Sequence, residues 1–583
     1  MNLDISNLQE SYASDSLTPK RLVETLLETI EAADNPAVWI TPPDRERLLD
    51  RAEELSNLSK DLPLYGIPFV VKDNIDVAGL PTTAACPDFA YVPEKNATVV
   101  QLLLDAGAIM VGKANLDQFA TGLVGVRTPY GTARNPFNAD FIPGGSSSGS
   151  AVAVASNFCS FSLGTDTAGS GRIPASLNNL VGVKPTKGLF SITGVVPACR
   201  SLDCVSLFAR NLDDARTVLN VAAQFDQSDA FSRKPQIVPA LGTDVRIGVP
   251  PAAQLKFFGD AEAEALFNDT VERFRSQGAT IVNVDFEPFA EAARLLYDGP
   301  WVTERFVAVG DFLKSHPESF HPVTKKIIET GEAPTAADLF KAEYRLQELK
   351  QKTDPVWQDV DAILTPTAGR HYKVAEVEAD PVQLNSNLGT YTNFMNLLDF
   401  AALAIPAGFL SRNMPWGVTL FAPAFSDQKL LQIAEFLQEG PDALGQSPTS
   451  HIPVAVCGAH LEGQPLNWQL TDRGATLSQV TTTADCYKFY ALPSIPDKGI
   501  PPRPALIFDE KEGGKIAVEV WDVPAEHFGS FVAGIPAPLG IGKVTLADSS
   551  QVSGFIAEPR ATNGAKDITA LSSWRTFVSE EKK

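Results

Sequence analysis

Gly144-Gly145-Ser146-Ser147-Ser148-Gly149-Ser150 and Gly164-Thr165-Asp166-Thr167-Ala168-Gly169-Ser170-Gly171-Arg172 concentrate glycines and hydroxyls in two short loops, with Ser146 and Ser170 24 residues apart. Loops of this composition cradle phosphates, make tight turns, or bring backbone close to a reacting group. A phosphate-binding P-loop is excluded because no lysine follows Gly149, and the spacing of a dinucleotide fingerprint is absent. Gly145-Ser146-Ser147-Ser148-Gly149 does satisfy G-x-S-x-G, which would make Ser147 the nucleophile of a hydrolase elbow, with His316, His321 or His371 recruited downstream. Yet no histidine occurs in the first 315 residues. A serine nucleophile in these loops points to a different base.

The second loop suits the other half of such chemistry. Small residues directly before Ser170 let the backbone N–H groups of Thr167, Ala168, Gly169 and Ser170 converge on a developing oxyanion. The glycines alone are equally compatible with two tight turns. Lys72 breaks the tie. It ends the apolar run Ile67-Pro68-Phe69-Val70-Val71, just before Asp73-Asn74, where a strand would carry it to the edge of the core. A strand-end lysine is ordinarily solvated. Buried beside hydroxyls, its pKa falls from ~10.4 toward ~7–8, and it becomes a general base.

Working outward, Thr18-Pro19 supplies an N-cap and N1 proline for an amphipathic helix with Leu22, Val23, Leu26, Leu27 and Ile30 on one face. Short β-like runs then alternate with helical stretches. They include Pro68–Val71, Ala108–Val111, Val245–Val249 and Asp361–Leu364, and a helix runs from about Ala261 to Gln277. This alternation predicts an α/β fold, with helices covering a sheet. Composition shifts to Gly, Pro and Ser across residues 441–450, which reads as a linker. Beyond it, Ile452–Val456, Ala505–Phe508 and Lys515–Trp521 predict a smaller, β-rich α+β domain. The domains expected are therefore 1–440 and 451–583.

The 583 residues carry a net charge of −22, which disfavours a nucleic-acid partner, since polyanion binding depends on a basic surface. No run approaches the ~20 apolar residues of a membrane span. The first residues lack a signal-peptide pattern, so a cytoplasmic location is expected. The six cysteines show no C-x-x-C pairing, and the six histidines show no H-E-x-x-H pattern. Neither a metal nor a cofactor is expected.

Val71-Lys72-Asp73-Asn74, the paired glycines before Ser146, and Asp166-Thr167-Ala168-Gly169-Ser170 together resemble the amidase signature family, which implies its fold, a mixed β-sheet core covered by helices. The resemblance implies a Ser–cis-Ser–Lys triad with Ser170 as nucleophile, Ser146 as relay following a non-proline cis peptide, and Lys72 as base. The implied oxyanion hole is formed by Thr167, Ala168 and Gly169. Ala168 stands where glycine is more usual, which still leaves room for the hole. The implied reaction is amide hydrolysis through an acyl-enzyme.

Outside these motifs the chain resembles allophanate hydrolases. The similarity runs through residues 115–125, through Tyr297-Asp298-Gly299-Pro300-Trp301-Val302-Thr303-Glu304-Arg305, through residues 388–394, and into the C-terminal domain. It implies allophanate as substrate and Tyr297 and Arg305 as substrate-binding residues. Arginine reads a planar carboxylate bidentately, and Gly299-Pro300, by ending one helix and starting another, would place both residues on one wall. Arg172, by pairing with Asp166, and Gln118 are expected to support the loops rather than touch substrate.

Residues 451–583 resemble the allophanate hydrolase C-terminal domain, which is similar to γ-glutamylcyclotransferase-like folds. There Val456-Cys457-Gly458-Ala459-His460-Leu461 takes the place of an anion-holding turn. The domain either decarboxylates N-carboxycarbamate, with His460 taking part, or is an assembly module without chemistry. The L-D-x-x-E setting of a cyclotransferase is missing near residues 531–540. None of the four methionines precedes a lysine, so no biotinyl site is present, and coupling to a separate urea carboxylase is expected. A homodimer is expected as well. The alternatives are a general small-amide amidase with a non-catalytic C-terminal assembly domain, or one component of an amidotransferase. The acidic balance and the extra domain disfavour the latter.

Overall fold

The computed structural model describes residues 1–236, 241–242, 244–439, 451–494 and 502–581. The chain divides into two compact units, Met1–Gly445 and Gln446–Lys583. The expected linker over 441–450 lies outside the described residues.

The first unit is built on eleven strands: β1 (Trp39–Thr41), β2 (Pro68–Lys72), β3 (Ile109–Ala114), β4 (Phe161–Asp166), β5 (Val181–Lys184), β6 (Cys204–Ala209), β7 (Arg246–Val249), β8 (Thr280–Asn283), β9 (Ala362–Pro366), β10 (Phe400–Leu410) and β11 (Met414–Pro423). They form one mixed sheet in the order β1-β3-β2-β4-β6-β5-β10-β11-β9-β7-β8. The segment β3-β2-β4 is parallel, and β4-β6-β5-β10-β11-β9 is antiparallel. Strands β2 to β6 are buried along their whole length. That is why they read as continuous apolar runs rather than alternating ones: helices cover both faces.

The helix Pro19–Ala32 forms as its sequence predicts. Thr18 accepts the Arg21 N–H at 3.2 Å, and Leu22, Val23 and Leu26 enter the core that holds Phe69, Val71 and Ile109. Leu27 and Ile30, expected on the same face, are only partly buried. The sequence pattern misses an earlier helix, Ile5–Ala13, whose N-cap Asp4 makes no capping hydrogen bond. That helix is held by tertiary contacts: Ile5, Leu8 and Tyr12 are buried, and the Tyr12 hydroxyl donates to the Gly66 carbonyl at 2.9 Å.

The second unit contains β12 (His451–Val456), β13 (Thr476–Thr482), β14 (Tyr487–Leu492), β15 (Arg503–Phe508), β16 (Ala517–Pro524), β17 (Leu539–Thr545), β18 (Gln551–Ala557) and β19 (Lys566–Asp567). A five-stranded sheet, β13-β16-β12-β18-β17, stands beside a three-stranded one, β15-β14-β19. Val454, Val456, Phe489, Val518 and Trp521 belong to its own core. Among the described residues no helix is long and apolar enough to cross a membrane.

Candidate active site

Strands β2 and β4 are parallel neighbours with Val71 opposite Leu163, so Lys72 and Thr165 lie at the same, carboxyl, edge of the sheet. Reactive groups gather at such edges because side chains from adjacent loops converge there. Lys72 is fully buried; its Nζ donates to Ser146 Oγ at 2.8 Å and to Thr165 Oγ1 at 2.7 Å. Thr165 stands in the second loop with no role legible from sequence. Its meeting with Lys72 depends on strand register, which no local motif encodes.

The serine loop feeds the helix Ser148–Ala155, which is stitched to β4 by Ser150 Oγ to the Leu163 carbonyl at 2.9 Å and by Ser162 Oγ to the Ser150 carbonyl at 2.8 Å. The Gly145–Ser146 peptide is cis. Gly145 is required by close approach: a Cβ there would sit 2.5 Å from the Gly125 nitrogen and press on the Asp117 carboxylate. Asp117 organises this wall. It accepts the N–H groups of Val124, Gly125 and Arg127 at 3.1, 3.0 and 2.9 Å, while its own N–H donates to the Ser146 carbonyl at 3.0 Å.

Burial is the main force on Lys72. It lowers the ammonium pKa from 10.5 to about 7, against the pull of Asp117, Asp203 and Asp166, and Arg305 adds a further push downward. A lysine balanced near neutrality can both take and return a proton.

In the second loop, Asp166 forms a fully buried ion pair with Arg172, accepting Nε at 2.9 Å and Nη2 at 2.8 Å. Burial alone would raise the Asp166 carboxyl pKa, but Arg172 and the loop N–H groups hold it below the usual range. Arg172 thus supports the loop in the way its sequence position suggests. The same carboxylate accepts the Gly169 N–H at 2.9 Å and the Gly171 N–H at 3.0 Å. This alters the expected oxyanion hole: the Gly169 N–H is already engaged, because Arg172 fixes Asp166 against the loop. Among the described residues no partner takes the N–H groups of Thr167, Ala168 or Ser170. Thr392 Oγ1 donates to the Ala168 carbonyl at 2.6 Å, and Asn396 Nδ2 to the Asp166 carbonyl at 2.8 Å, clamping the loop from behind. The Thr167 hydroxyl donates to Asp203, whose carboxyl is raised by burial.

Ser170 is 4% exposed, and its Oγ donates to the Gly122 carbonyl at 3.4 Å. Among the described residues no hydrogen bond joins it to Ser146. Ser147 is held otherwise. Its Oγ donates to the Thr165 carbonyl at 3.2 Å and accepts the Thr165 N–H at 3.3 Å. The histidines of the elbow reading are employed elsewhere. His321 accepts the Val323 N–H at a helix start, His316 stacks on Phe312, and His371 is fully buried with its pKa driven down to about 3 by desolvation. The elbow reading of Ser147 does not fit this arrangement.

Tyr297 and Arg305 come together across the break between the helices Glu287–Asp298 and Val302–Ser315. The Arg305 guanidinium lies 5.9 Å from the Tyr297 ring centroid and donates to Thr121 Oγ1 at 3.0 Å. It is 3% exposed, and its charge reaches Lys72. Gln118 braces the segment beyond these helices, donating to the Ser319 carbonyl at 2.8 Å and accepting the His321 N–H at 2.7 Å.

In the second unit, His460 lines a cavity of about 250 Å³ together with Cys457, Gly458, Gln469, Arg503 and Phe555. Its ring stacks on Phe555 at 5.1 Å and meets Gln469 Oε1 at 3.0 Å. Burial lowers its pKa, and the Gln469 hydrogen bond works the other way. Arg503 is the residue that no sequence motif flags. It is 8% exposed, and its Nε and Nη1 find no hydrogen-bond partner among the described residues. Among those residues no group of His, Cys, Asp and Glu is arranged to hold a metal ion.

A family model described as Amidase matches residues 21–431, and one described as Allophanate hydrolase C-terminal domain matches residues 452–579. The chain is 43% identical to the urea amidolyase of Saccharomyces cerevisiae over 98% of its own length and 33% of that protein. It thus spans about a third of the length of that curated relative. Among solved structures, the allophanate hydrolase of Kluyveromyces lactis is similar with a TM-score of 0.72 at 41% identity, over 99% of both chains. The peptide amidase of Stenotrophomonas maltophilia is similar with a TM-score of 0.62 at 28% identity, over 75% of this chain and 96% of that one.

Proposed function

We propose that this chain, which belongs to the amidase family and carries an allophanate hydrolase C-terminal domain, hydrolyses allophanate to ammonia and carbon dioxide. The observation that carries the proposal is a fully buried lysine, with its pKa lowered to about 7, holding the Ser146 hydroxyl at 2.8 Å beside the Ser170 loop. Neutral Lys72 draws a proton through Ser146 from Ser170, whose oxygen attacks the ureido carbonyl. The oxyanion is received by the N–H groups of Thr167, Ala168 and Ser170, while Gly169 holds the loop through Asp166. The relay returns the proton to the leaving nitrogen, ammonia departs, and water releases N-carboxycarbamate from Ser170. Each oxyanion donor supplies ~3 kcal/mol of barrier lowering.

Arg305, desolvated and stacked near Tyr297, is the cation for the allophanate carboxylate, and Thr121 holds it in place. A buried guanidinium selects an anion over a neutral amide. Kinship with a protein named urea amidolyase supports a urea carboxylation step as the source of the substrate.

The C-terminal cavity is proposed to take the N-carboxycarbamate, in a fold of the γ-glutamylcyclotransferase-like kind. Arg503 binds one carboxylate. A proton adds to nitrogen, the C–N bond to the other carboxylate breaks with its electrons going to nitrogen, and carbon dioxide leaves. The carbamate left behind breaks down to ammonia and a second carbon dioxide. With its pKa lowered, His460 is neutral near pH 7 and positions the substrate by hydrogen bonding rather than storing the proton.

Ammonia release from allophanate, measured beside acetamide, malonamate and biuret, tests the assignment. A strong preference for allophanate supports it. Equal rates on all four identify a general small-amide amidase with a non-catalytic C-terminal assembly domain.

A further inference from the structure

In a chain of net charge −22, cations cluster around a second cavity of the first unit that the proposed reaction does not use. It measures about 340 Å³, and Lys187, Arg200, Arg233 and Lys350 line it beside Asp203 and Asp399. Asp399 is taken by Arg233, whose Nη1 reaches both carboxylate oxygens at 2.9 Å. Asp203 is taken by the Thr167 hydroxyl and by the Ala198 N–H at 2.8 Å. Lys187, Arg200 and Lys350 have no ion-pair partner among the described residues. Arg200 lies instead over the Phe231 ring, 5.7 Å from its centroid. Burial lowers the Lys187 pKa, with Asp399 only partly compensating. A partly desolvated ammonium whose nearby carboxylate is already engaged by an arginine is unfavourable, and an anion sharing its space relieves that.

Two walls of this cavity also hold the nucleophile loop. Asp203 binds the Thr167 hydroxyl. The segment that contributes Leu397 and Asp399 grips the same loop through Thr392 to the Ala168 carbonyl at 2.6 Å and Asn396 to the Asp166 carbonyl at 2.8 Å. Whatever shifts these walls shifts the backbone N–H groups in front of Ser170.

We propose that this cavity binds a small polyvalent anion, a phosphate- or polycarboxylate-bearing metabolite, and that its occupancy sets the geometry of the Thr167–Ser170 loop. Two partly buried lysines and the exposed Arg200, none ion-paired among the described residues, exceed what one carboxylate can neutralise, which separates this ligand from a monoanionic substrate at Arg305. The volume falls within the ~300–1,000 Å³ of small-molecule sites. A ligand seated against walls that also brace a catalytic loop is coupled to that loop to the extent that its affinity depends on where the loop sits.

The test is isothermal titration of the full chain with citrate and with pyrophosphate, with potassium acetate at matched ionic strength as control. It requires no substrate, so its outcome is independent of the proposed reaction. Saturable binding of either probe, weakened at least tenfold by Lys187→Met and by Lys350→Met and retained by Lys187→Arg, is the expected result. The tighter probe assigns the anion class. Binding should also slow amide deuterium exchange in peptides covering residues 164–172 and 392–399. Melting temperatures of the unliganded variants report whether they fold as the parent does, and Lys350→Met, at a partly exposed position, keeps the test open if Lys187→Met does not. No saturable heat with either probe, binding indifferent to both lysine substitutions, or binding without any change in exchange at the two segments overturns the proposal.

Discussion

Lys72 Nζ donates to two hydroxyls at once, Ser146 Oγ at 2.8 Å and Thr165 Oγ1 at 2.7 Å, from a position with no solvent exposure. One hydroxyl belongs to the proposed relay and the other to the strand beneath it. Thr165 therefore holds the amine in register with Ser146 without itself lying between lysine and nucleophile. Since Lys72 must be neutral to act as base and its pKa is lowered to about 7, kcat/KM should rise with pH through about 7 and level off above. An acid limb displaced by two or more pH units in a pH–rate profile would remove Lys72 from that role.

The same shift has a stability consequence of definite sign. Between about pH 7 and 10.5 the unfolded chain holds a proton on Lys72 that the folded chain lacks, so this group's contribution to folding stability becomes more favourable as pH rises through that window. At pH 7 the penalty is several kcal/mol, at ~1.4 kcal/mol per pH unit. Lys72→Met removes it but strands two buried hydroxyls, at ~1–3 kcal/mol each. Denaturant midpoints should show the advantage of Lys72→Met shrinking steadily from pH 7 to pH 10. An advantage that grows with pH would contradict the assignment.

Much of this was readable from local sequence, and what was not has a common cause. Ser146, Ser170 and Lys72 each sit in a short motif, and the break at Gly299-Pro300 pointed to Tyr297 and Arg305 on one wall. Thr165 and Lys72 are 93 residues apart, joined only by the register of two parallel strands. The engagement of the Gly169 N–H by Asp166 depends on a loop backbone with φ +137° at that glycine, which composition does not specify. Arg503 looks like any strand-edge arginine until β15 is set beside the turn after β12. Pairings made by folding across distant elements leave no periodicity to read.

Ser170→Ala should abolish ammonia release, by at least ~10³-fold, with an unchanged melting temperature, because the hydroxyl makes only a 3.4 Å contact to Gly122. Ser147→Ala should do the reverse. It breaks both hydrogen bonds to the Thr165 backbone, costing ~1–3 kcal/mol of stability, yet leaves measurable turnover. If Ser147→Ala were the dead variant and Ser170→Ala the active one, the nucleophile assignment would be reversed.

Arg305→Leu should raise KM for allophanate by about two orders of magnitude, since losing a desolvated charge-assisted contact costs ~2–3 kcal/mol. Activity on a neutral amide should be spared. A second effect distinguishes electrostatics from packing. Arg305 helps to lower the Lys72 pKa, so its loss should move the acid limb of the pH–rate profile to higher pH. Arg305→Lys, which keeps the charge without the planar fork, should restore the limb but not the KM.

Arg503→Met separates the two chemical steps. Its Nε and Nη1 have no protein partner among the described residues, so the substitution removes a buried charge without orphaning another group. The domain should fold at least as well, because burying a guanidinium whose Nε and Nη1 find no partner among the described residues is a desolvation burden. On the proposed reaction the first ammonia comes from the N-terminal unit and should appear at the parent rate. The second, if the proposed loss of carbon dioxide from N-carboxycarbamate takes place in this cavity, should slow at least tenfold. Carbon-13 NMR of labelled allophanate would then show the dicarboxylate accumulating early in the reaction. An unchanged time course for both ammonia equivalents would mean that the cavity holds no reacting carboxylate.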